Sequence, residues 1–273
     1  MWLGLAVPAA TLAGMTTTLA LWQITLIVLA FAYGRASESL EPLWRGLAPA
    51  LGLSSLIAIG QVLAVPGLPP YYLHPAGLFY SPAVQASMIA LVSVALAERR
   101  TWFLIPPLLP GLVLAQSRGG WLVLAIGLTA RWLHGALAFA VLAAAGIAAA
   151  AMMTLSDQLR LATWKLALAN LTLFGNGAGT FANLVFYDQN GSLVYPEHVH
   201  NDYLELAYEY GVGALIPYAV MIAALCRTRR PGWPVFAGYC ALSAFYFPLY
   251  CAPLALVGSV VAGHLLAKPA PKR

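Results

Sequence analysis

Long apolar runs, broken by short connections that hold most of the charged residues, are the feature of this sequence that most constrains its fold. Only 8% of the 273 residues are charged and 61% are hydrophobic, whereas soluble domains carry about 25% charged residues. Too few charges remain to solvate a globular surface, and apolar runs of this kind are typical of membrane spans. The sequence therefore predicts an all-α, polytopic integral membrane protein.

The apolar runs predict about eight to ten transmembrane helices in one membrane domain that covers residues 1–273. A span needs about 20 residues, and several of these runs are shorter. The predicted spans are roughly 16–34, 43–65, 82–97, 102–116, 120–133, 136–155, 205–226, 234–250 and 252–267.

The basic residues predict the orientation of the spans, because cytoplasmic loops are enriched in Lys and Arg. If the connection over 66–81 lies outside, all 14 Lys and Arg lie inside except Arg118, Arg160 and Lys165. The same orientation makes 156–204 a periplasmic loop, and long loops in compact domains tend to be functional. The net charge of +5 is spread over short loops rather than gathered in a basic patch, so we expect no nucleic-acid partner.

Arg118 and Arg160 are the two arginines on the predicted outer side. Arg118 lies in SRGGW (117–121), between two apolar runs, and Arg160 precedes Trp164 by one helical turn. An arginine at a membrane boundary either anchors its helix at the interface or binds an anion. For Arg160 a surface ion pair with Asp157 is a further alternative, so the residues alone leave both positions open.

Residues 175–183, GNGAGTFAN, form a glycine-rich stretch after an apolar run. The stretch lacks the Lys-Ser/Thr pair of a P-loop, and its glycine spacing differs from the dinucleotide fingerprint. It is either a flexible turn or a loop that brings backbone amides close to a phosphate or a glycan.

The stretch EHVHNDYLELAYEYG (197–211) gathers two histidines and four carboxylates. Asp202 followed by Glu205 has the spacing of a capping box ahead of a helix. His200 would then precede the positive end of that helix, which favours a neutral imidazole and attracts anions. A neutral histidine beside an anion site suits a general base for a hydroxyl group.

Two other interpretations of this stretch remain open. His198, His200 and Asp202 alternate, so an extended chain would place them on one face, where they could ligate a cation. The sequence has no HExxH and no distant Cys or His partner for such a site. An ordinary solvated loop is the other alternative, but we expect His200 to be catalytic and no metal to be bound.

Five stretches resemble motifs of the O-antigen ligase and O-antigen polymerase family of bacterial membrane glycosyltransferases. They are HPAGLFYSPAVQASMIAL (74–91), SRGGW (117–121), the Arg160 and Trp164 pair, GNGAGTF (175–181) and HNDYLELAYEYG (200–211). They occur in the family's order and cover about half of the chain.

The resemblance implies a fold like that of lipid-donor (GT-C-type) glycosyltransferases, with an active site on the periplasmic side of the bacterial inner membrane. Members transfer a glycan from an undecaprenyl-pyrophosphate carrier to an acceptor hydroxyl, without a metal or another cofactor. By match of motif, Arg118 and Arg160 would hold the pyrophosphate and His200 would activate the hydroxyl. Supporting positions implied in the same way are Asn201, Asp202, Glu205, Trp164, Gly175 and Gly177.

The resemblance leaves the acceptor open. In ligases the acceptor is lipid A-core, and in polymerases it is another lipid-linked repeat unit. Family members have additional N-terminal spans, so we expect a shortened or divergent member. A membrane transporter and a non-catalytic subunit of a glycan assembly complex are more distant alternatives; the charges lie at the outer boundary rather than within spans, which favours an enzyme over a transporter.

Overall fold

The structure is a computed structural model that describes residues 24–68, 74–130, 155–187, 190–228 and 230–267. It is mostly helical, which confirms the prediction of an all-α fold. The described helices, numbered in chain order, are α1 Ile24–Ala36, α2 Glu41–Val62, α3 Pro82–Glu98, α4 Leu109–Leu114, α5 Arg118–Ala130, α6 Leu155–Ala169, α7 Asp202–Tyr210, α8 Leu215–Thr228, α9 Trp233–Ser243 and α10 Ala252–Leu266.

Helix α3 lies at the centre of the bundle, and its residues from Val84 to Ala97 are buried. Glycines on α5 allow this close packing, since a Cβ on Gly120 would lie 2.7 Å from the Cβ of Ala86. A Cβ on Gly127 would lie 2.5 Å from the side chain of Val94. Small residues at such contacts let helix backbones approach each other closely, so α5 is fixed against α3 by residues that carry no side-chain bulk.

The predicted continuous span over 205–226 is wrong. Helix α7 ends at Tyr210 and α8 begins at Leu215, because Gly211 between them adopts φ +88°, a conformation that glycine alone adopts readily. A side chain at Gly211 would also lie 2.2 Å from the carbonyl oxygen of Leu173. The break turns the chain between two short helices, so α7 is separate from the apolar helix that follows it.

The predicted span over 234–250 also ends early, at Ser243. Pro248 has no N–H to donate to the carbonyl of Ala244 four residues earlier, and its ring would clash with that carbonyl. A regular helix is therefore disfavoured through this point. Residues 244–251 therefore leave the helix as an irregular segment rich in aromatic residues. The predicted span over 102–116 is likewise replaced by two 3₁₀ turns and the short α4, in a region that contains three prolines.

Within the described residues, one helix is long and apolar enough to cross a membrane, namely α2. The other apolar helices, including α1, α3, α5 and α10, are shorter than 18 residues. A single such helix is consistent with membrane association, and the polytopic arrangement remains a prediction. Most of the predicted span 136–155, and the first part of span 16–34, lie outside the described residues.

The predicted outer loop over 156–204 is a small folded unit in its described parts. It contains α6, a 3₁₀ turn over Thr180–Asn183 and a hairpin of strands β1 Phe186–Tyr187 and β2 Leu193–Val194, which pair antiparallel. Side chains from α6, the 3₁₀ turn, the chain before α7 and α7 itself share a separate core: Ala167, Phe181, Val199 and Tyr208. This core fixes α6 against α7.

Charged residues gather at the end of the bundle opposite to this unit. Glu41 at the start of α2 forms ion pairs with Arg45 and, at 3.5 Å, with Arg99. Nearby, the N–H of Gly232 donates to Glu98 at 2.9 Å. We call this cluster the charged end. Its basic residues are among those that the sequence predicts on the cytoplasmic side of the membrane.

Candidate functional site

The site begins at the turn into α7. Asn201 is the N-cap residue, and its side-chain oxygen accepts a hydrogen bond from the N–H of Leu204 at 3.1 Å. The predicted capping box is therefore wrong in its register, because the cap is Asn201 rather than Asp202. Asn is among the preferred N-cap residues, since its short side chain reaches the third backbone N–H of the helix.

The Asp202 carboxyl group connects α7 to the irregular segment 244–251. Its side chain is fully buried, and one oxygen accepts a hydrogen bond from the N–H of Leu249 at 3.2 Å. Burial raises the pKa of the Asp202 carboxyl well above its usual range, because the charged form loses its hydration; the Leu249 N–H opposes this shift. Asp202 therefore supports the site as a tie between two elements.

The Glu205 carboxylate is 1% exposed and uses both oxygens. One accepts a hydrogen bond from the N–H of Val199 at 3.0 Å, and the other lies 2.7 Å from Nδ1 of His198. The His198 ring is stacked on Phe247 with centroids 4.3 Å apart, and it lies 5.0 Å from the ring of Tyr250. Glu205 thus orients a neighbouring imidazole rather than capping the helix.

His200 contacts the same segment, 244–251, which we call the aromatic wall. Its ring meets Phe247 edge to face at 4.9 Å, and Tyr246 lies 6.4 Å away. The backbone of His200 has φ +58°, in the left-handed region that few residues other than glycine adopt. Such conformations cluster at functional sites, where the surrounding structure holds them in place.

The imidazole of His200 is neutral over a wide pH range. Burial, and to a smaller extent the nearby charges of Arg160 and His198, lower its pKa to about 4. The predicted neutral state is therefore supported, but the main cause is loss of solvent rather than the helix end. Nδ1 of His200 is buried and has no hydrogen-bond partner within the described residues.

Helix α6 brings Arg160 to this position. Trp164, one turn further on, packs against Phe245 with ring centroids 6.2 Å apart. Thr163 donates a hydrogen bond to the carbonyl of Val199 at 3.4 Å. These contacts place Trp164 against the segment 244–251 and α6 against the chain before α7, and the charge of Arg160 acts on the His200 ring.

Arg118 is the first residue of α5, and its side chain is exposed. The next residue packs against α9, since a Cβ on Gly119 would lie 3.4 Å from a methyl group of Leu242. The same end of α9 receives the Tyr203 hydroxyl, which donates to the carbonyl of Cys240 at 2.7 Å. Arg118 is therefore at the same end of the bundle as His200, and Arg160 is the arginine whose charge acts on that ring.

The glycine-rich stretch binds the end of α7. The N–H groups of Asn176 and Gly177 donate to the carbonyls of Tyr208 and Glu209, each at 2.9 Å. The carbonyls of the last helical turn have no partner inside their own helix, so the stretch completes α7 from outside. A Cβ on Gly175 would lie 2.2 Å from the carbonyl oxygen of Glu209, which explains the need for glycine there.

These hydrogen bonds favour the structural interpretation of the stretch over a phosphate cradle. The N–H of Gly179 donates to the Glu209 carboxylate at 2.8 Å, and the other oxygen of that carboxylate accepts from the Tyr250 hydroxyl at 2.9 Å. Three N–H donors of the stretch, those of Asn176, Gly177 and Gly179, are thus directed at α7. Gly175 and Gly177 support the site through the helix that carries Glu205.

The metal interpretation required His198, His200 and Asp202 on one face of an extended chain. The positive φ of His200 interrupts that alternation, and the side chains of His198 and Asp202 have different partners, Glu205 and Leu249. Within the described residues no group of three His, Cys, Asp or Glu side chains is arranged to hold a metal ion.

Sequence reasoning missed the wall against which both imidazoles pack. The predicted span over 234–250 includes these aromatic residues: Phe245, Tyr246, Phe247 and Tyr250. The available signal was FYFPLY (245–250), where a proline follows three aromatic residues and argues against a continuous helix. The pairing of His198 with Glu205, seven residues apart, left no local signal of its own.

A comparison of the chain with protein-family models and with curated proteins gives no match.

Proposed function

We propose that this chain is a polytopic membrane glycosyltransferase of the bacterial inner membrane that moves a glycan from undecaprenyl pyrophosphate to an acceptor hydroxyl on the periplasmic side. The motif resemblance over residues 74–213 supports this proposal. The charged end would face the cytoplasm, as the positive-inside rule requires, and the site around His200 would face the periplasm.

The apolar outer surface of the bundle supports a membrane location. Large apolar patches on a protein surface mark contacts with lipid or with another protein. Exposed large apolar side chains occur on α1, on α2, in the turn before α4 and on α8: Val28, Leu29, Leu53, Leu56, Phe103, Ile216 and Val220. In a bilayer these side chains would face the hydrocarbon.

The observation that carries the proposed activity is the neutral ring of His200, which packs against the aromatic wall and lies within range of the charge of Arg160. A pyrophosphate leaving group already activates the anomeric carbon of the donor glycan. The enzyme then needs positive charge for the leaving group and a neutral side chain that handles a proton. Arg160, with Arg118 at the same end of the bundle, supplies the first, and the histidines of the 197–211 stretch supply the second.

The transfer step follows from these groups. The acceptor oxygen forms a bond to the anomeric carbon as the bond from that carbon to the pyrophosphate oxygen breaks. The electron pair of the broken bond stays on the pyrophosphate, where the arginines stabilise it, and the acceptor proton passes to a histidine. This chemistry serves a lipid A-core acceptor (a ligase) and a second lipid-linked glycan (a polymerase) equally; we propose the ligase, with the polymerase as the alternative.

Substitution of Arg160 with Gln tests the proposal. We expect at least a 100-fold loss of transfer, because removing one group that stabilises developing negative charge costs about that factor. Lys165→Gln is the matched control, since Lys165 is an exposed cation on the same helix and should be dispensable. The measurement is the polysaccharide ladder on a gel after each variant is returned to a deletion strain of the source bacterium.

Two outcomes would contradict the proposed function. One is an unchanged ladder in the deletion strain itself. The other is an unchanged ladder with Arg160→Gln at normal abundance in the membrane. Arg118→Lys adds a finer test, because lysine keeps the charge but loses the bidentate geometry of the guanidinium; reduced transfer is expected if Arg118 holds the pyrophosphate directly.

A further inference from the structure

The two histidines of the site have opposite electrostatic surroundings. His198 faces the buried carboxylate of Glu205 at 2.7 Å, whereas His200 is close enough to the cation of Arg160 for its titration to respond. Both rings contact Phe247, one stacked and one edge to face. Two titratable groups whose environments differ in this way typically divide the acid and base roles between them.

The pair of His198 and Glu205, here called the dyad, has the geometry of an oriented base. The Glu205 carboxylate is held by the N–H of Val199 at 3.0 Å, so its position does not depend on the imidazole. A carboxylate at Nδ1 keeps the proton on that nitrogen and leaves Nε2 as the acceptor. The His198 side chain is 27% exposed, so part of the ring can be reached from solvent.

His200 has the features of a hydrogen-bond donor to an anion. A ring whose pKa lies near 4 has a low affinity for a proton at neutral pH. Efficient general bases have pKa values near the working pH, so His200 is a poor general base. A neutral imidazole beside Arg160 can still donate one N–H to a phosphate oxygen. Its Nδ1 has no hydrogen-bond partner within the described residues. No neighbouring side chain there therefore donates to this nitrogen or accepts from it.

We propose that the dyad is the proton acceptor of the transfer reaction, and that His200 binds the pyrophosphate together with Arg160. This inference rests on the proposed glycosyltransferase function and reassigns the base within it. Nε2 of His198 takes the proton of the acceptor hydroxyl as the new glycosidic bond forms, and the proton then leaves to solvent. His198 is the catalytic residue, and Glu205 is a positioning residue that acts through it.

The test separates turnover from donor binding in four variants of the purified full chain in lipid nanodiscs: His198→Asn, Glu205→Gln, His200→Asn and Arg160→Gln. The binding probe is undecaprenyl pyrophosphate without a glycan. We expect His198→Asn to lower turnover by about 100-fold or more with unchanged probe affinity. His200→Asn keeps a residue that tolerates a positive φ, and we expect it to weaken probe binding at least tenfold, as Arg160→Gln should.

Glu205→Gln distinguishes positioning from a purely structural role. Glutamine still accepts the Val199 N–H but carries no charge for the imidazole, so turnover should fall at least tenfold while probe affinity and thermal midpoint stay near those of the unaltered chain. Should Glu205→Gln fail to fold, His198→Asn and His198→Gln carry the test, because His198 is only partly buried.

Each result decides something different. Full turnover in His198→Asn, with loss of turnover in His200→Asn at unchanged probe affinity, would overturn the dyad and return the base role to His200, with the transferase function intact. Absence of probe binding and of transfer in the unaltered chain would overturn the proposed function, and the dyad's role with it.

Discussion

The two ends of the bundle handle acidic side chains in opposite ways. At the charged end the Glu41 side chain is 42% exposed and pairs with two arginines. At the His200 end, Asp202, Glu205 and Glu209 are all at most 3% exposed, and their described partners are backbone N–H groups, an imidazole and a phenol.

The two ends differ in the free-energy cost of burying a carboxylate. An exposed ion pair is worth about 1 kcal/mol or less, and its charges keep their hydration. A buried carboxylate loses that hydration and needs several hydrogen bonds in compensation. Three such groups lie on α7, whereas the acidic group of the charged end keeps its contact with solvent.

Glu209→Ala against Glu41→Ala tests the comparison with the largest expected effect. Glu209→Ala leaves the N–H of Gly179 and the hydroxyl of Tyr250 without their shared acceptor, and we expect a loss of about 3 kcal/mol in unfolding free energy. Glu41→Ala should cost about 1 kcal/mol or less. Thermal unfolding of the purified chains in detergent measures both, and equal losses would show that burial makes no difference between the two ends.

Substitution of glycine with alanine should change the free energy of unfolding in opposite directions at the two ends. Gly175→Ala forces a side chain at φ +82° and 2.2 Å from the carbonyl oxygen of Glu209, so we expect a loss of about 2 kcal/mol or more. Gly46 on α2, near the charged end, has open space around it, and Gly46→Ala should stabilise its helix by about 0.5–1 kcal/mol. The same unfolding measurement applies; stabilisation by Gly175→Ala would contradict the described contact between the glycine-rich stretch and α7.

A pH series tests whether the fold holds the His200 ring neutral. The pKa of His200 falls from 6.5 in the unfolded chain to about 4 in the fold, so the unfolded chain binds more protons between these values. Unfolding free energy is therefore lost as the pH falls through this range, and levels off below about 4. The raised pKa of the Asp202 carboxyl makes the free energy of unfolding rise as the pH falls. This contribution is present in the unaltered chain and in His200→Asn alike, so it cancels in the difference between them.

The measured quantity in this series is the difference in thermal midpoint between the unaltered chain and His200→Asn. That difference should move against the unaltered chain between pH 6.5 and about 4. A difference that is constant with pH would mean that the His200 ring is not held neutral by its surroundings.

Local patterns were sufficient for several parts of this molecule. The apolar runs predicted α1, α2, α3, α5 and α10 in their described parts. The turn into a helix near residue 202 was visible in the spacing of polar residues, and the Arg160 and Trp164 pair shared a face as helical periodicity requires. These features depend on residues within one or two turns of each other, so the sequence carries them directly.

The tertiary structure decided which partner each polar group of the site has. Asn201 rather than Asp202 caps α7 because Asp202 is drawn to the N–H of Leu249, 47 residues away. Glu205 pairs with His198, and the segment that contains Pro248 supplies Phe247, the ring that both histidines contact.

The sequence by itself therefore determined a helical, apolar chain with its reactive residues concentrated around 197–211. Only the folded chain assigned a cation to His200 and a carboxylate to His198. The physical reason is that burial and charge environment depend on contacts between distant segments, and these set the proton affinity of a side chain more strongly than its neighbours in sequence do.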